Sequence, residues 1–126
     1  AYSDGDVIIH ALIDSLLGAA ALGDIGSLFP SKKVENKDIS SSLLLNQVID
    51  LLDSKNYKVI NIDITLITET PRINKKSDQI IDSLSKSLRI EKNSVSCKAT
   101  TTDGLGFEGE KKGIACQAIS LIEEKD

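Results

Sequence analysis

Apolar residues recur at helical spacing over the first twenty or so positions, at every second position mid-chain, and in short alternating runs towards the end. From Asp4 to Leu22, the residues Val7, Leu12, Leu16 and Ala19 or Ala20 share one stripe, widened by Ile9, Ile13 and Leu17. That pattern predicts a largely buried helix. Ser3 and Asp6 stand three apart, as in a capping box, and Gly23 reads as the helix stop. A tight turn at Asp24-Ile25-Gly26 and one short helical turn from Ser27 to Pro30 follow, then a polar loop without periodicity from Ser31 to Ile39. Ser40 caps a second predicted helix to about Lys55, with Leu44, Val48, Leu51 and Leu52 inward and Asn56 as a left-handed cap. Between Lys58 and Thr68, Ile60, Ile62, Ile64 and Leu66 alternate with Asn61, Asp63 and Thr65, which predicts a strand. A loop begins at Glu69, and a third helix is expected from Lys75 to Leu88 with Ile80, Ile81, Leu84 and Leu88 inward. Strands over Ser94–Thr101, with Val95, Cys97 and Ala99 on one side, and over Gly113–Leu121 complete the pattern. This order predicts an α/β fold of the α+β two-layer kind, a small mixed sheet with helices packed on one face.

Composition narrows the function classes. At 126 residues, with 40% apolar and 27% charged residues, the chain reads as one soluble domain spanning 1–126. A net charge of −4 and 3% aromatic residues argue against nucleic acid as a partner. No apolar run approaches membrane-spanning length, and no signal peptide is read at the start, so no membrane partner is expected. Cys97 and Cys116 lie in apolar strand-like contexts and read as buried free thiols.

Two clusters carry chemistry. Asp6, His10 and Asp14 are spaced i, i+4, i+8 on the first helix, so they project from one face. On spacing alone this is more often a solvated or internally hydrogen-bonded histidine with two flanking acids, and it also suits a metal-bound imidazole oriented by a carboxylate. Thr100-Thr101-Thr102-Asp103 places hydroxyls, backbone N–H groups and a carboxylate at a strand end. Such an end holds phosphate oxygens and a hard cation, and is also an ordinary threonine-rich strand and turn. The loop from Thr68 to Asn74 meets the same sheet end if the two strands pair.

The run Ser3-Asp-Gly-Asp, with His10-Ala-Leu, Asp14, and Leu16-Leu-Gly-Ala-Ala-Ala-Leu-Gly-Asp-Ile-Gly26 through Leu28-Phe-Pro30, closely resembles the 2-C-methyl-D-erythritol 2,4-cyclodiphosphate synthase family. The resemblance resumes at Asn61-Ile-Asp-Ile-Thr65, at Pro71, at Lys98-Ala-Thr-Thr-Thr-Asp-Gly-Leu-Gly-Phe107 and at Gly113-Ile-Ala-Cys116. It implies a homotrimer of ferredoxin-like subunits with active sites between neighbours. The family's enzymes are phosphorus–oxygen lyases of non-mevalonate isoprenoid synthesis. The 2-phosphate of 4-diphosphocytidyl-2-C-methyl-D-erythritol 2-phosphate attacks the β-phosphate, CMP leaves, and the cyclic diphosphate forms. By this matching His10 is a ligand of zinc or another divalent transition metal, and Asp14, by helical spacing, orients it. Ser3 contacts phosphate, Asp24, Ile25, Gly26 and Phe29 belong to the ribose and substrate turn, and Thr68, Pro71, Arg72, Ile73 and Asn74 to the cytosine loop of a neighbouring subunit. Thr100, Thr101, Thr102 and Asp103 form the diphosphate site, with Thr101 at the transition state and Asp103 on magnesium or manganese. Phe107 matches the wall of a cavity on the trimer axis.

The chain also departs from the family pattern. An Asp-x-His pair that supplies further zinc ligands belongs upstream of Ala1, so the domain is expected to lack the family's N-terminal strands. Tyr2 stands where histidine is usual, Ser31, Lys32 and Lys33 replace acids, and Asp103 replaces glutamate. Glu110 and Lys112 replace arginine and glutamate in reversed order. These changes keep a second reading open: a catalytically impaired member retaining fold, trimer and nucleotide binding. The expected compartment is bacterial cytoplasm, or the plastid of a plastid-bearing eukaryote.

Overall fold

The computed structural model describes residues 4–29, 40–68, 77–101 and 114–126. Its elements are α1 (Asp4–Ala19), α2 (Ile25–Leu28), α3 (Ser41–Ser54), β1 (Tyr57–Ile67), α4 (Ser77–Leu88), β2 (Val95–Thr100) and β3 (Ala115–Glu124). The expected helices and strands all appear among the described residues. The predicted loop over Ser31–Ile39 lies outside them.

The sheet has strand order β2-β1-β3, with β1 parallel to β2 and antiparallel to β3. One face carries the core. Leu12, Leu16 and Leu17 of α1, Val48 of α3, and Ile64 and Leu66 of β1 are wholly buried there, joined by Leu84 and Leu88 of α4. The expected stripe on α1 needs one amendment: Ile8, at 1% exposure, is a core residue, whereas Val7 is only partly covered. Ile8, Leu12 and Leu16 are each four apart, so they stack on the face that meets the sheet.

β1 departs from strict alternation. A register shift between Val59 and Asn61 leaves Ile60 without a paired partner on β3. Such a bulge switches the side-chain phase, so Val59 is buried and Ile60, predicted inward, is only partly covered. β3 also runs beyond its predicted end at Leu121, because Ile122, Glu123 and Glu124 pair with Val59, Lys58 and Tyr57.

α1 stops at Ala19, three residues before the predicted end. Leu22 donates its backbone N–H to the Leu17 carbonyl at 2.9 Å and Ala21 to that of Gly18 at 3.0 Å, with Ala21 at φ 57°. This is a Schellman closure with alanine in the left-handed position that glycine usually fills. Asn56 at φ 71° is the left-handed cap expected after α3, and Arg89 at φ 62° closes α4 the same way. Ala21 is exposed, so Ala21→Gly is expected to stabilise the fold by about 1 kcal/mol, by relieving the cost of a Cβ at positive φ. A higher midpoint with an unchanged slope in urea unfolding checks this; a lower midpoint contradicts it.

Cys97 and Cys116 are free thiols, each partly buried on the helix-facing side. They sit on β2 and β3, opposite Ile64 and Leu66 of the intervening β1, so two strand spacings of about 4.8 Å and a two-residue offset keep them beyond disulfide reach. Burial pushes both thiols up, Cys116 to about 11 with the Cys97 sulfur adding to the effect. Both therefore stay protonated at neutral pH.

Among the described residues, no element covers the other sheet face. Ile119 and Leu121 stand on it at 72% and 55% exposure. Beside Ile119, Asp63 accepts a hydrogen bond from Lys98 Nζ at 2.5 Å across the parallel pair. That bond holds the Asp63 carboxyl below its ordinary value. A depressed carboxylate stabilises the fold above its unfolded pKa, and the contribution disappears as pH falls below about 4.

Candidate functional site

Parallel pairing puts the carboxyl ends of β1 and β2 side by side. The ladder closes with Ile67 opposite Thr100, and the Thr68 backbone N–H donates to the Thr100 carbonyl at 3.0 Å. Thr68 is thereby buried, while Thr100 and Thr101 stay exposed at the edge. The Thr100 hydroxyl makes a long contact, 3.4 Å, to the Thr101 carbonyl. The expectation that the Thr68 and Thr100 segments converge holds. Ligands of open α/β sheets bind outside carboxyl strand ends of this kind.

α1 starts at that end. Gly5, Ile8 and Ile9 face Gln79, Ile80, Ser83 and Leu84 across a groove of about 200 Å³. α4 returns from the exit of β1, so its first half lies at the threonine edge, and the first half of α1 lies with it. Further on, the Ser15 and Ser120 hydroxyls share a hydrogen bond of 2.6 Å between α1 and β3. α1 thus runs along the sheet away from the edge. His10 is in its first half and partly buried, while Asp14, one turn on, is exposed. Asp6, one turn before His10, accepts a hydrogen bond from the Ser41 hydroxyl at 2.5 Å. Sequence reasoning missed this link, because no periodicity relates positions on different helices.

α2 leaves from the opposite end of α1. Asp24 is its N-cap: Oδ1 accepts from the Ser27 N–H at 2.9 Å, and the Asp24 N–H donates to Ser27 Oγ at 3.2 Å. The predicted tight turn is therefore a capping box, with Ile25 and Gly26 as its first helical residues. Gly23 at φ 97° is required there, since a Cβ would lie 2.8 Å from Ser27 Oγ. Asp24 and Gly26 are exposed, whereas Ile25, Leu28 and Phe29 pack partly against the core. The sixteen residues of α1 span about 24 Å, most of which separates the Asp24 turn from the threonine edge. Among the described residues, those two predicted parts lie towards opposite ends of α1.

Ser3, Pro71, Arg72, Ile73, Asn74, Thr102, Asp103 and Phe107 lie outside the described residues, as do Tyr2, Glu110 and Lys112. Among the described residues, no three His, Cys, Asp or Glu side chains come together as a metal site. His10 alone does not make one, since catalytic zinc needs three protein ligands. No helix among the described residues is long and apolar enough to cross a membrane.

The YgbB family model matches residues 1–123. The 2-C-methyl-D-erythritol 2,4-cyclodiphosphate synthase of Clostridium novyi is 51% identical over 124 residues, covering 98% of this chain and 79% of that protein. The bifunctional enzyme IspD/IspF of Aliarcobacter butzleri is 46% identical over 123 residues, covering 98% of this chain and 33% of its own length. This chain thus spans about a third of the bifunctional relative and about four-fifths of the single-function one. Among solved structures, the CDP complex of Plasmodium falciparum IspF matches with a TM-score of 0.85 and 39% identity, over 100% of this chain and 76% of that one.

Proposed function

We propose, from the premise that this chain belongs to the YgbB family, that it converts 4-diphosphocytidyl-2-C-methyl-D-erythritol 2-phosphate to 2-C-methyl-D-erythritol 2,4-cyclodiphosphate with release of CMP. The observation that carries this reading is the near-complete match to proteins named for that product. The reaction is a step of non-mevalonate isoprenoid synthesis and a phosphorus–oxygen lyase reaction. An oxygen of the 2-phosphate attacks the β-phosphorus and a new P–O–P bond forms. The bond from the β-phosphorus to its bridging oxygen breaks, and that oxygen leaves on CMP.

Positioning and charge neutralisation dominate such a transfer, so no protein nucleophile is needed. Thr100 and Thr101 hold diphosphate oxygens with hydroxyl and backbone donors, and Thr101 donates to the charge that builds during transfer. Thr68 anchors the start of the cytosine loop, and the Asp24-Ile25-Gly26 turn with Phe29 holds the ribose side. Asp103 would hold magnesium or manganese, which would neutralise phosphate charge. His10 offers one imidazole donor to zinc or a similar metal, whose remaining ligands are not among the described residues; such an ion polarises phosphate oxygen when bound.

In this reading the site forms between subunits of a homotrimer. The length of α1 between the Asp24 turn and the threonine edge supports that assembly, as do the uncovered Ile119 and Leu121. The test is a calorimetric titration of CDP into protein whose mass is fixed by sedimentation. A three-chain particle that binds CDP, more weakly once magnesium is chelated, is expected. Bound zinc should survive dialysis in the wild type and not in His10→Ala. A monomer, or no CDP binding at millimolar concentration, contradicts the reading.

A further inference from the structure

We infer that the Asp6–Ser41 hydrogen bond is a positioning clamp that sets the rotation of α1, and with it the direction of His10, for the reaction proposed above. The inference rests on that reading and extends it to two residues outside the motifs' assigned roles. The inner face of α1 is apolar, and apolar contact is non-directional, so packing alone leaves a helix some freedom to roll and slide. Directional contacts remove that freedom. Ser41 Oγ donates to Asp6 Oδ1 at 2.5 Å, in the range of a charge-assisted O–H···O⁻ bond. Two and a half turns later, Ser15 Oγ meets Ser120 Oγ at 2.6 Å. His10 lies between the two pins, one turn beyond Asp6.

The partner is well placed for this role. Ser41 is the first residue of α3, directly after the Ser40 cap, whose side chain accepts from the Leu43 N–H at 3.1 Å. The amino end of α3 carries a partial positive charge, which favours the Asp6 carboxylate. The pin also fixes where the chain re-enters the fold after α2 and the segment beyond it, beside the first turn of α1. Displacing a reacting group by about 1 Å costs about a hundredfold in rate, so a small roll of α1 is enough to matter.

The experiment compares Ser41→Ala, Asp6→Ala, their double variant and Ser41→Thr in the assembled enzyme. Ser41→Ala is expected to lower kcat for CMP release about tenfold to a hundredfold, with KM within about threefold and Tm within a few degrees. The double variant should be no slower than the slower single, since both remove one bond. Ser41→Thr, which keeps the hydroxyl, should restore kcat. Additive losses, a loss confined to KM, or no rescue by threonine overturns the clamp. If the wild type itself releases no CMP, the proposed function fails instead. Amide exchange from Val7 to His10 then decides the clamp, which requires faster exchange in Ser41→Ala and wild-type exchange in Ser41→Thr.

Discussion

Thr101→Ala is expected to slow CMP release about a hundredfold or more while changing CDP affinity by no more than a few fold. Removing one preorganised donor to a developing oxyanion costs about 2.7–4 kcal/mol of barrier, a factor of about 10² to 10³ in rate. Thr101 suits that role because its backbone is held at one end and its side chain is exposed. The preceding residue closes the β1–β2 ladder through the Thr68 N–H to Thr100 carbonyl bond at 3.0 Å. In the proposed site, ground-state binding of the diphosphate would be shared with Thr100 and Thr102, so a single loss there would be diluted. Transition-state charge falls on fewer donors, so the loss concentrates in kcat. Thr101→Ser, which retains the hydroxyl, should return most of the rate. Equal losses in affinity and rate would make Thr101 a binding residue only.

The largest expected effect on stability comes from Leu12→Ala. Leu12 is fully buried in the middle of α1, within the core cluster shared with β1, α3 and α4. Truncating a buried leucine removes its transfer free energy and leaves a cavity that the surroundings only partly fill, about 3 kcal/mol in all. Against the roughly 5–15 kcal/mol that holds a domain together, this is a large fraction, equivalent to about 10 °C in Tm. The volume-conserving Leu12→Met should cost less than about 1.5 kcal/mol. Urea unfolding followed by circular dichroism checks both values. A cost below about 1 kcal/mol for the alanine variant would mean that α1 collapses onto β3 without a cavity.

Most of the fold was legible because its elements obey their periods. α3 shows the expected Ser40 and Asn56 caps, and Val95, Cys97 and Ala99 face the helices as alternation predicts. The failures fall where local pattern yields to pairing or geometry. The bulge before Asn61 moves Ile60 out of phase, which only the ladder with β3 reveals. The last strand was expected to end at Leu121, yet β1 recruits Glu123 and Glu124 opposite Lys58 and Tyr57. The stop of α1 depends on Ala21 adopting a positive φ that its residue type does not advertise. At the site, the threonine edge was readable once parallel pairing was assumed. The Asp6–Ser41 contact was not, because its partners are 35 residues apart. Nor did the motifs reveal that the Asp24 turn and the threonine edge lie towards opposite ends of α1.

Closure of a cyclic diphosphate is observable by incubating the purified protein with 4-diphosphocytidyl-2-C-methyl-D-erythritol 2-phosphate, zinc and magnesium. CMP and the cyclic product are followed together by phosphorus NMR. The account predicts equimolar CMP and 2,4-cyclodiphosphate, with formation slowed by Thr101→Ala. Intact substrate after prolonged incubation, from a trimer that still binds CDP, would contradict it and leave a nucleotide-binding member of the family without the cyclisation.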